Sequence, residues 1–299
     1  MAYPTRVRLC EVGPRDGFQF EAIPISTPFK VEIIRGLAAA GIGRIQAVSF
    51  VQPGRVPQMA DADEVVEATR DLAGVELTGL ALNLKGVERA RACGLRFVDL
   101  SIATNERHAR DNANRTVAEG IAEAEAMIVA ARAGGLGVQL GFQTVFGYAE
   151  PGDTPLDLVA GLARRFAGEG LELISLADTT GLAGPADIRR VVSAVREAAP
   201  DVDLVLHLHD TRGLGLANVA AALELGVTRF DTSLGGLGGC PFIPGATGNI
   251  ATEDTLWLLE RLGIDSGIDR RAVAQVSRRL AAHLGRPLTG KLWSLEGGV

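Results

Sequence analysis

The sequence has few aromatic residues, only three cysteines and no long apolar run. Phe, Trp and Tyr make up 5% of its 299 residues, whereas hydrophobic residues make up 47%. We therefore expect Leu, Val, Ile and Ala to fill most of the core. Cys10, Cys93 and Cys240 are sparse and odd in number, which excludes a disulfide framework and is typical of a reducing compartment.

Two further absences limit the possible partners. No stretch of about 18 apolar residues is present, and the first residues, MAYPTRVRLCEVG, have no apolar signal region before a strand-like run. We expect a cytoplasmic protein that does not enter a membrane. A basic excess is also missing, since the net charge is −6 and the pI is near 5.4, and this argues against a nucleic-acid partner.

Strand-like and helix-like segments alternate along the chain with short connections. This pattern predicts an α/β fold with a parallel sheet, and eight βα units favour a closed (β/α)8 TIM barrel over an open doubly wound sheet. The predicted strands are 7–13, 44–50, 75–82, 97–103, 137–146, 171–178, 203–210 and 228–235. The predicted helices are 27–40, 63–73, 84–92, 116–133, 154–168, 184–198, 214–225 and 252–262.

We interpret residues 1–299 as a single domain, with the barrel at about 5–263 and a short C-terminal helical extension at about 264–299. Within the extension, 269–285 has a helical pattern, and the final Gly-rich tail is expected to be loose.

The residues that carry chemistry follow the predicted strands, where the active sites of such barrels lie. His207 and His209 are two apart on strand 7, so their side chains point to the same side. The pair is either a metal-binding pair or a structural, hydrogen-bonded pair, and the proximity of Asp210 and the scarcity of histidine favour a metal.

Asp16 and Asn249 are the candidates for the remaining ligands. Asp16 follows strand 1, which is adjacent to strand 8 in a closed barrel, and Asn249 follows strand 8. Imidazole, carboxylate and amide oxygen together suit Mg²⁺ or Mn²⁺ better than a closed zinc site. Alternatively, Asp16 is a turn residue before Gly17, and Asn249 is a helix-start residue.

The Gly-rich run GGLGGCPFIPGATGN, residues 235–249, predicts a mobile loop with one thiol at the barrel mouth. Cys240 would be a proton donor or nucleophile on this lid, or an incidental cysteine. Cys10 and Cys93 are more typical of core positions.

Six segments together resemble the 3-hydroxy-3-methylglutaryl-CoA lyase family of metal-dependent barrel lyases. These segments are EVGPRDGFQFE (11–21), VSFVQPGRVPQMAD (48–61), NERHARDNANRT (105–116), SLADTTG (175–181), HLHDTRGLGLAN (207–218) and GLGGCPFIPGATGNIATED (236–254). The resemblance covers nearly the whole chain. It implies a retro-Claisen cleavage of 3-hydroxy-3-methylglutaryl-CoA to acetoacetate and acetyl-CoA, with a homodimer as the expected assembly.

The resemblance also implies roles for individual residues. Arg15 would hold the thioester oxygen as enolate charge develops, Cys240 would protonate the enolate carbon, and His207 or Asp16 would act as the base. The implied metal ligands are Asp16, His207, His209 and Asn249. The implied substrate-site residues are Arg15, Gln19, Gln46, Asp178 and Gly239. Glu106 and His108 fall in the loop after strand 4, where they belong to the site or form an exposed pair.

Four residues depart from the family pattern. Gln46 stands where the family usually has a glutamate, and Arg212, Leu214 and Asn105 replace other typical residues. Gln46 removes a negative charge and Arg212 adds a positive one, which suggests a different substrate, such as another 3-substituted glutaryl-CoA or citramalyl-CoA. An acyl-CoA condensing synthase and a catalytically inactive binding protein are the remaining alternatives.

Overall fold

The computed structural model describes residues 3–239 and 247–295, and within them eight parallel strands close into a barrel. The order follows the chain, and β1 pairs in parallel with both β2 and β8, so that the sheet has no free edge. The strands are β1 Arg8–Glu11, β2 Arg44–Ser49, β3 Glu76–Leu80, β4 Phe97–Ala103, β5 Gly137–Gln143, β6 Leu173–Asp178, β7 Asp203–Leu208 and β8 Arg229–Thr232. The predicted closed barrel is confirmed, and the open-sheet alternative is wrong.

Helices surround the barrel, and all of them except α4 and α11 lie where the apolar periodicity predicts a helix. They are α1 Thr27–Ala39, α2 Ala62–Thr69, α3 Leu84–Ala92, α4 Glu106–Ala113, α5 Val117–Ala133, α6 Leu156–Gly168, α7 Pro185–Ala198, α8 Gly215–Glu224, α9 Thr252–Arg261, α10 Arg270–Leu284 and α11 Leu292–Leu295. After α1 the chain turns at Gly41, whose φ of +95° favours glycine. Among the described residues, no helix is long and apolar enough to cross a membrane.

Helix α4 replaces the loop that we expected after strand 4. Asn105 begins it, because its side-chain oxygen accepts hydrogen bonds from the backbone N–H groups of Arg107 and His108. The interpretation of Glu106 and His108 as an exposed pair is wrong, since His108 is 1% exposed and packs near the ring of Tyr148. The many charged residues of this short helix conceal its apolar face in the sequence.

The C-terminal segment before residue 296 is hydrogen-bonded to earlier parts of the chain. Asp254 accepts hydrogen bonds from the backbone N–H groups of Lys291 and Leu292, and Gly290 donates to the carbonyl of Gly235 at 2.7 Å. These bonds tie residues 290–292 to α9 and to the start of the Gly-rich segment, whereas Gly297 and Gly298, in the tail that we expected to be loose, lie outside the described residues.

The hydrophobic core lies mainly between the sheet and the helices, whereas the inside of the barrel is polar. Leu, Val, Ile and Ala dominate that core, as expected, together with several phenylalanines. Buried polar side chains occupy the strands in the barrel interior: Gln46, Thr78, Asp99, Gln139, Ser175 and Asp231. Buried polar groups are stable only where they are hydrogen-bonded or serve a ligand, so the interior itself points to a functional site.

Candidate active site

The Arg15–Asp16–Gly17 sequence lies in a short π-helical turn, Gly13–Gly17, directly after β1. The N–H groups of Arg15 and Asp16 both donate to the carbonyl of Val12, which directs the two side chains to the carboxyl end of the barrel. A Cβ on Gly17 would lie 2.7 Å from the Cβ of Leu237. Glycine is therefore required here by the close approach of the segment after β8.

Glu11 connects this turn to the neighbouring elements. Its buried carboxyl group accepts hydrogen bonds from the N–H of Gly13 at 2.8 Å, the N–H of Leu234 at 2.9 Å and the hydroxyl of Thr252 at 2.7 Å. Burial raises the pKa of Glu11 to about 8, although these donors oppose the shift. Glu11 thus joins the end of β1 to the segment after β8 and to the first residue of α9.

Asp16, His207 and His209 form a cluster that can hold a metal ion. One ligand atom from each residue lies within 4.8 Å of the others. The two Nε2 atoms are 3.2 Å apart, and Nε2 of His207 is 3.9 Å from Oδ2 of Asp16. The structure thus brings together the strand-7 histidines and the strand-1 aspartate, as the positions of these strands on either side of β8 predict.

Asn249 adds a fourth possible metal ligand, and the four side chains together fit a divalent metal. Its Nδ2 donates to Oδ2 of Asp16 at 2.7 Å and to the carbonyl of Leu237 at 3.0 Å. Its Oδ1 is buried and has no hydrogen-bond partner among residues 3–239 and 247–295. An amide oxygen without a partner, adjoining Asp16, is available as an oxygen ligand beside the carboxylate and the two imidazoles.

The charge states of Asp16 and His209 also suit metal binding. Burial raises the pKa of Asp16, but Arg15 and the two histidines outweigh burial and lower it, so the carboxylate is ionised. Burial, aided by His207, lowers the pKa of His209 to about 3, which leaves this imidazole neutral and able to act as a ligand. Burial disfavours protonated His207, but Asp231 and Asp16 outweigh it and raise its pKa.

Asp231 orients His207, and the sequence interpretation did not include it. Its Oδ2 lies 3.2 Å from Nδ1 of His207. Because a carboxylate only accepts, Nδ1 carries the proton and the Nε2 atom of the neutral ring remains free for a metal. Asp231 lies in β8 within the segment FDTS, where an acidic residue inside a predicted strand was the available signal.

We expect the substitution Asp231→Asn to lower metal affinity about 10- to 100-fold, the usual effect of losing a carboxylate behind a ligating histidine. Calorimetric titration of the metal-free protein with Mn²⁺ measures this. The matched control is Asp203→Asn, because Asp203 pairs with Arg229 at the exposed end of β7. Unchanged Mn²⁺ affinity in the Asp231 variant would contradict the orienting role.

Arg15 links Asp16 of the cluster to a chain of hydrogen-bonded side chains inside the barrel. Its Nη1 donates to Oδ1 of Asp16, and its Nε donates to Oε1 of Gln46. Gln46 in turn donates from Nε2 to Oδ2 of Asp99 at 2.5 Å. The Nη2 group has no hydrogen bond to a described residue, so it remains available for a ligand.

A cavity of about 450 Å³ opens beside these groups. Of the predicted site residues, its lining contains Arg15, Asp16, Gln19, Gln46, His207, His209 and Gly239. Its lining also contains Gln139, Ser175, Asp99, Asp231 and His108, of which the sequence interpretation named only His108. Cys240 lies outside the described residues.

Asp178 and Arg212 serve the loop after β6 instead of lining this cavity. The carboxylate of Asp178 accepts hydrogen bonds from the N–H groups of Leu182 and Ala183, and burial raises its pKa to about 6. Arg212 donates from Nη1 to the carbonyls of Thr180 and Gly181, each at 2.8 Å. The geometry gives no support to direct substrate binding by Asp178, or to a substrate anion held by Arg212.

Comparison with known proteins places this architecture in a family. Residues 6–280 match the HMGL-like family model. The chain is 40% identical to the 3-hydroxy-3-isohexenylglutaryl-CoA/hydroxy-methylglutaryl-CoA lyase of Pseudomonas aeruginosa, with 96% of this chain and 95% of that protein covered. It is also 40% identical to the (R)-citramalyl-CoA lyase of Chloroflexus aurantiacus, with 94% and 92% covered.

Solved structures agree with this placement. The HMG-CoA lyase of Bacillus subtilis superimposes with a TM-score of 0.95 at 35% identity, covering 99% of both chains. An HMG-CoA lyase from Acinetobacter baumannii, in complex with coenzyme A and 3-methylmalate, gives a TM-score of 0.91 at 38% identity, covering 98% of this chain and 96% of that one. The chain therefore belongs to the HMGL-like family.

Proposed function

We propose that this protein is a metal-dependent lyase that cleaves 3-hydroxy-3-methylglutaryl-CoA to acetoacetate and acetyl-CoA. The observation that carries the proposal is the cluster of Asp16, His207 and His209 beside Arg15 in one cavity. Relatives named hydroxymethylglutaryl-CoA lyase, such as that of Pseudomonas mevalonii at 41% identity over 93% of this chain, support the choice of substrate.

In this proposal Asp16, His207, His209 and Asn249 hold Mg²⁺ or Mn²⁺. The bound cation supplies Lewis-acid stabilisation of negative charge on substrate oxygens. The ligand set of one carboxylate, one amide oxygen and two imidazoles supports these metals over a closed zinc site. The contact of Asp231 with Nδ1 of His207 keeps the Nε2 atom of the same ring directed at Nε2 of His209.

The chain's own residues then account for the proton transfers and the developing charge. Of the two candidate bases, Asp16 accepts the proton of the tertiary hydroxyl, because His207 has no free ring nitrogen when its Nε2 binds the metal and its Nδ1 donates to Asp231. Cleavage of the C2–C3 bond leaves the electron pair on the acetyl-CoA fragment as an enolate. The free Nη2 group of Arg15 stabilises its oxygen, and Cys240, assigned from the family resemblance, delivers a proton to its carbon.

A related acyl-CoA ester is the second candidate substrate. The relative that acts on (R)-citramalyl-CoA is as similar to this chain as the dual-function lyase of Pseudomonas aeruginosa. In the sequence alone, the departures at Gln46 and Arg212 favour such a substrate. Arg212 binds backbone carbonyls, however, and Gln46 adjoins the carboxylate of Asp99, so neither residue demands an additional anionic group on the substrate.

A substrate panel tests the proposal. We expect kcat/KM to be highest for 3-hydroxy-3-methylglutaryl-CoA, when it is compared with (R)-citramalyl-CoA and 3-hydroxy-3-isohexenylglutaryl-CoA in the presence of Mn²⁺. A preference for either of the other esters would replace the proposed substrate with that ester. If acetyl-CoA and a keto acid are supplied in place of the esters, net condensation would instead indicate a synthase. Absence of turnover with every ester would favour a binding protein.

We further propose that residues 1–299 act as one catalytic domain, that the protein is a homodimer, and that it works in the cytoplasm. The homodimer rests on the family resemblance. The reducing compartment rests on the unpaired state of Cys10 and Cys93. Light scattering of the purified protein tests the dimer, and a mass near 31.3 kDa, that of one chain, would contradict it.

A further inference from the structure

Asp99 is a buried carboxylate at the centre of the barrel that the mechanism above does not use. It lies in β4, is 3% exposed and lines the cavity. Strands β2 and β3 supply its three donors. The hydroxyl of Thr78 donates to Oδ2 at 2.5 Å, Nε2 of Gln46 donates to the same oxygen at 2.5 Å, and Nη2 of Arg44 donates to Oδ1 at 3.0 Å.

The carboxylate fixes the orientation of the Gln46 amide. An ionised carboxylate only accepts hydrogen bonds, so it requires the NH₂ group of Gln46 on its side. The amide oxygen must then face the other way, where it accepts from Nε of Arg15. If the amide were reversed, two acceptors would face each other at Asp99 and two donors would face each other at Arg15. The order of donors and acceptors is therefore determined at both ends, by Asp99, which only accepts, and by Arg15, which only donates.

A neutral residue at position 46 also suits the negative charge of Asp99. A glutamate at position 46 would place a second carboxylate at hydrogen-bond distance from Asp99, and one of the two would have to take up a proton. Glutamine avoids this repulsion and still presents an oxygen to Arg15. The network retains one negative charge, which lies on β4 and is separated from Arg15 by a neutral amide.

We propose that Asp99 is a positioning residue for Arg15, acting through Gln46, and that its negative charge can be moved to position 46 if both residues are exchanged together. The kinetic effects depend on the proposed function, in which Arg15 stabilises the enolate oxygen. The geometric claim does not, because it concerns only the orientation of the Arg15 side chain.

The test is a charge-exchange series of D99N, Q46E and the double variant Q46E/D99N. In D99N, a neutral amide replaces the charged acceptor of Gln46, so the hydrogen bond that holds Gln46 against Arg15 is weakened, and we expect kcat to fall about 10- to 100-fold, as for loss of a hydrogen bond to a charged group. Q46E alone is expected to be impaired by the adjacent carboxylates. In Q46E/D99N, the carboxylate now at position 46 accepts both from Arg15 and from the amide now at position 99. We expect kcat of this double variant within about threefold of the wild type, since the hydrogen bonds are restored.

An activity-independent measurement separates failure of this inference from failure of the proposed function. The ¹⁵N–¹H signal of the Arg15 Nε group, identified with R15K, should show slow hydrogen exchange in the wild type and Q46E/D99N, and fast exchange in D99N. These exchange rates test the inference even if 3-hydroxy-3-methylglutaryl-CoA is not the substrate.

Asp99 also pairs with Arg44, so a purely structural role must be distinguished. Glu76 is the other carboxylate partner of Arg44 and is more exposed, which makes E76Q the matched control with unchanged kcat. If D99N lowers kcat but Q46E/D99N does not recover, Asp99 supports only Arg44 and the inference is overturned. Wild-type kcat and slow Nε exchange in D99N would overturn it as well. If D99N does not fold, the double variant decides alone: a folded protein with slow exchange supports the inference, and fast exchange rejects it.

Discussion

The substitutions Asp16→Asn and His209→Ala are each expected to reduce kcat about 1,000-fold, since Lewis-acid stabilisation is worth several kcal/mol and each 1.4 kcal/mol corresponds to about a tenfold change in rate. Both residues contribute ligand atoms to the same cluster, so the loss should be accompanied by loss of bound metal. Steady-state kinetics with saturating Mn²⁺, together with elemental analysis of the purified variants, measures both effects.

His283 offers a matched control for the histidine substitution. It lies in α10, where it stacks on Phe29 with ring centroids 3.9 Å apart, away from the cluster. His283→Ala should retain the wild-type metal content and kcat. If His209→Ala also retained its metal and its kcat, the assignment of the cluster as the metal site would be wrong.

The substitution Arg15→Lys is expected to lower kcat about 100- to 1,000-fold, the typical effect of removing one preorganised donor from a developing oxyanion. Lysine keeps the positive charge and has three N–H groups, but all three lie on one nitrogen, so they cannot replace the separate Nε, Nη1 and Nη2 positions from which Arg15 reaches Gln46, Asp16 and the substrate. Because the cluster of Asp16, His207 and His209 is retained, metal affinity should change little. Rapid-quench measurement of a single turnover separates this effect on chemistry from product release.

Arg35→Lys is the control for this substitution, since Arg35 pairs with Asp71 at an exposed position on α1. It should leave kcat unchanged. A normal single-turnover rate in Arg15→Lys would show that the guanidinium does not stabilise the transition state, whatever its position in the cavity.

The barrel and the histidine pair could be predicted from the sequence because both depend on local periodicity. Alternating βα units give the closed sheet, and the spacing of His207 and His209 on one strand places both rings on one side. Asp16 could be added because β1 adjoins β8 in any closed eight-stranded barrel. These inferences use only the order of the elements, and no side-chain packing is needed.

Asp231 and Asp99 could not be assigned in the same way, because their roles depend on partners distant in sequence. Asp99 contacts Gln46, 53 residues earlier, and Asp231 in β8 contacts His207 in the neighbouring strand β7. An acidic residue inside a strand is unusual, but its partner is determined by register and rotamer. From the sequence alone, Gln46 suggested that the site lacks a negative charge. The sequence does not show that the carboxylate of Asp99 lies next to Gln46 in the structure.

The positive charge of Arg212 was likewise interpreted without its partners. Its guanidinium donates to two backbone carbonyls of the loop after β6, and a pattern of side chains does not reveal backbone partners. Helix α4 was missed for a related reason, since the cap supplied by Asn105 and the burial of His108 outweigh the polar composition of the segment.

The most direct test of metal-dependent cleavage is the stoichiometry of products with and without the metal. The purified protein is treated with a chelator, divided, and assayed with 3-hydroxy-3-methylglutaryl-CoA before and after addition of Mg²⁺ or Mn²⁺. We predict no turnover of the metal-free protein, and equal amounts of acetoacetate and acetyl-CoA once either cation is restored. Full turnover in the metal-free protein, or no cleavage after both cations are supplied, would contradict the proposed function.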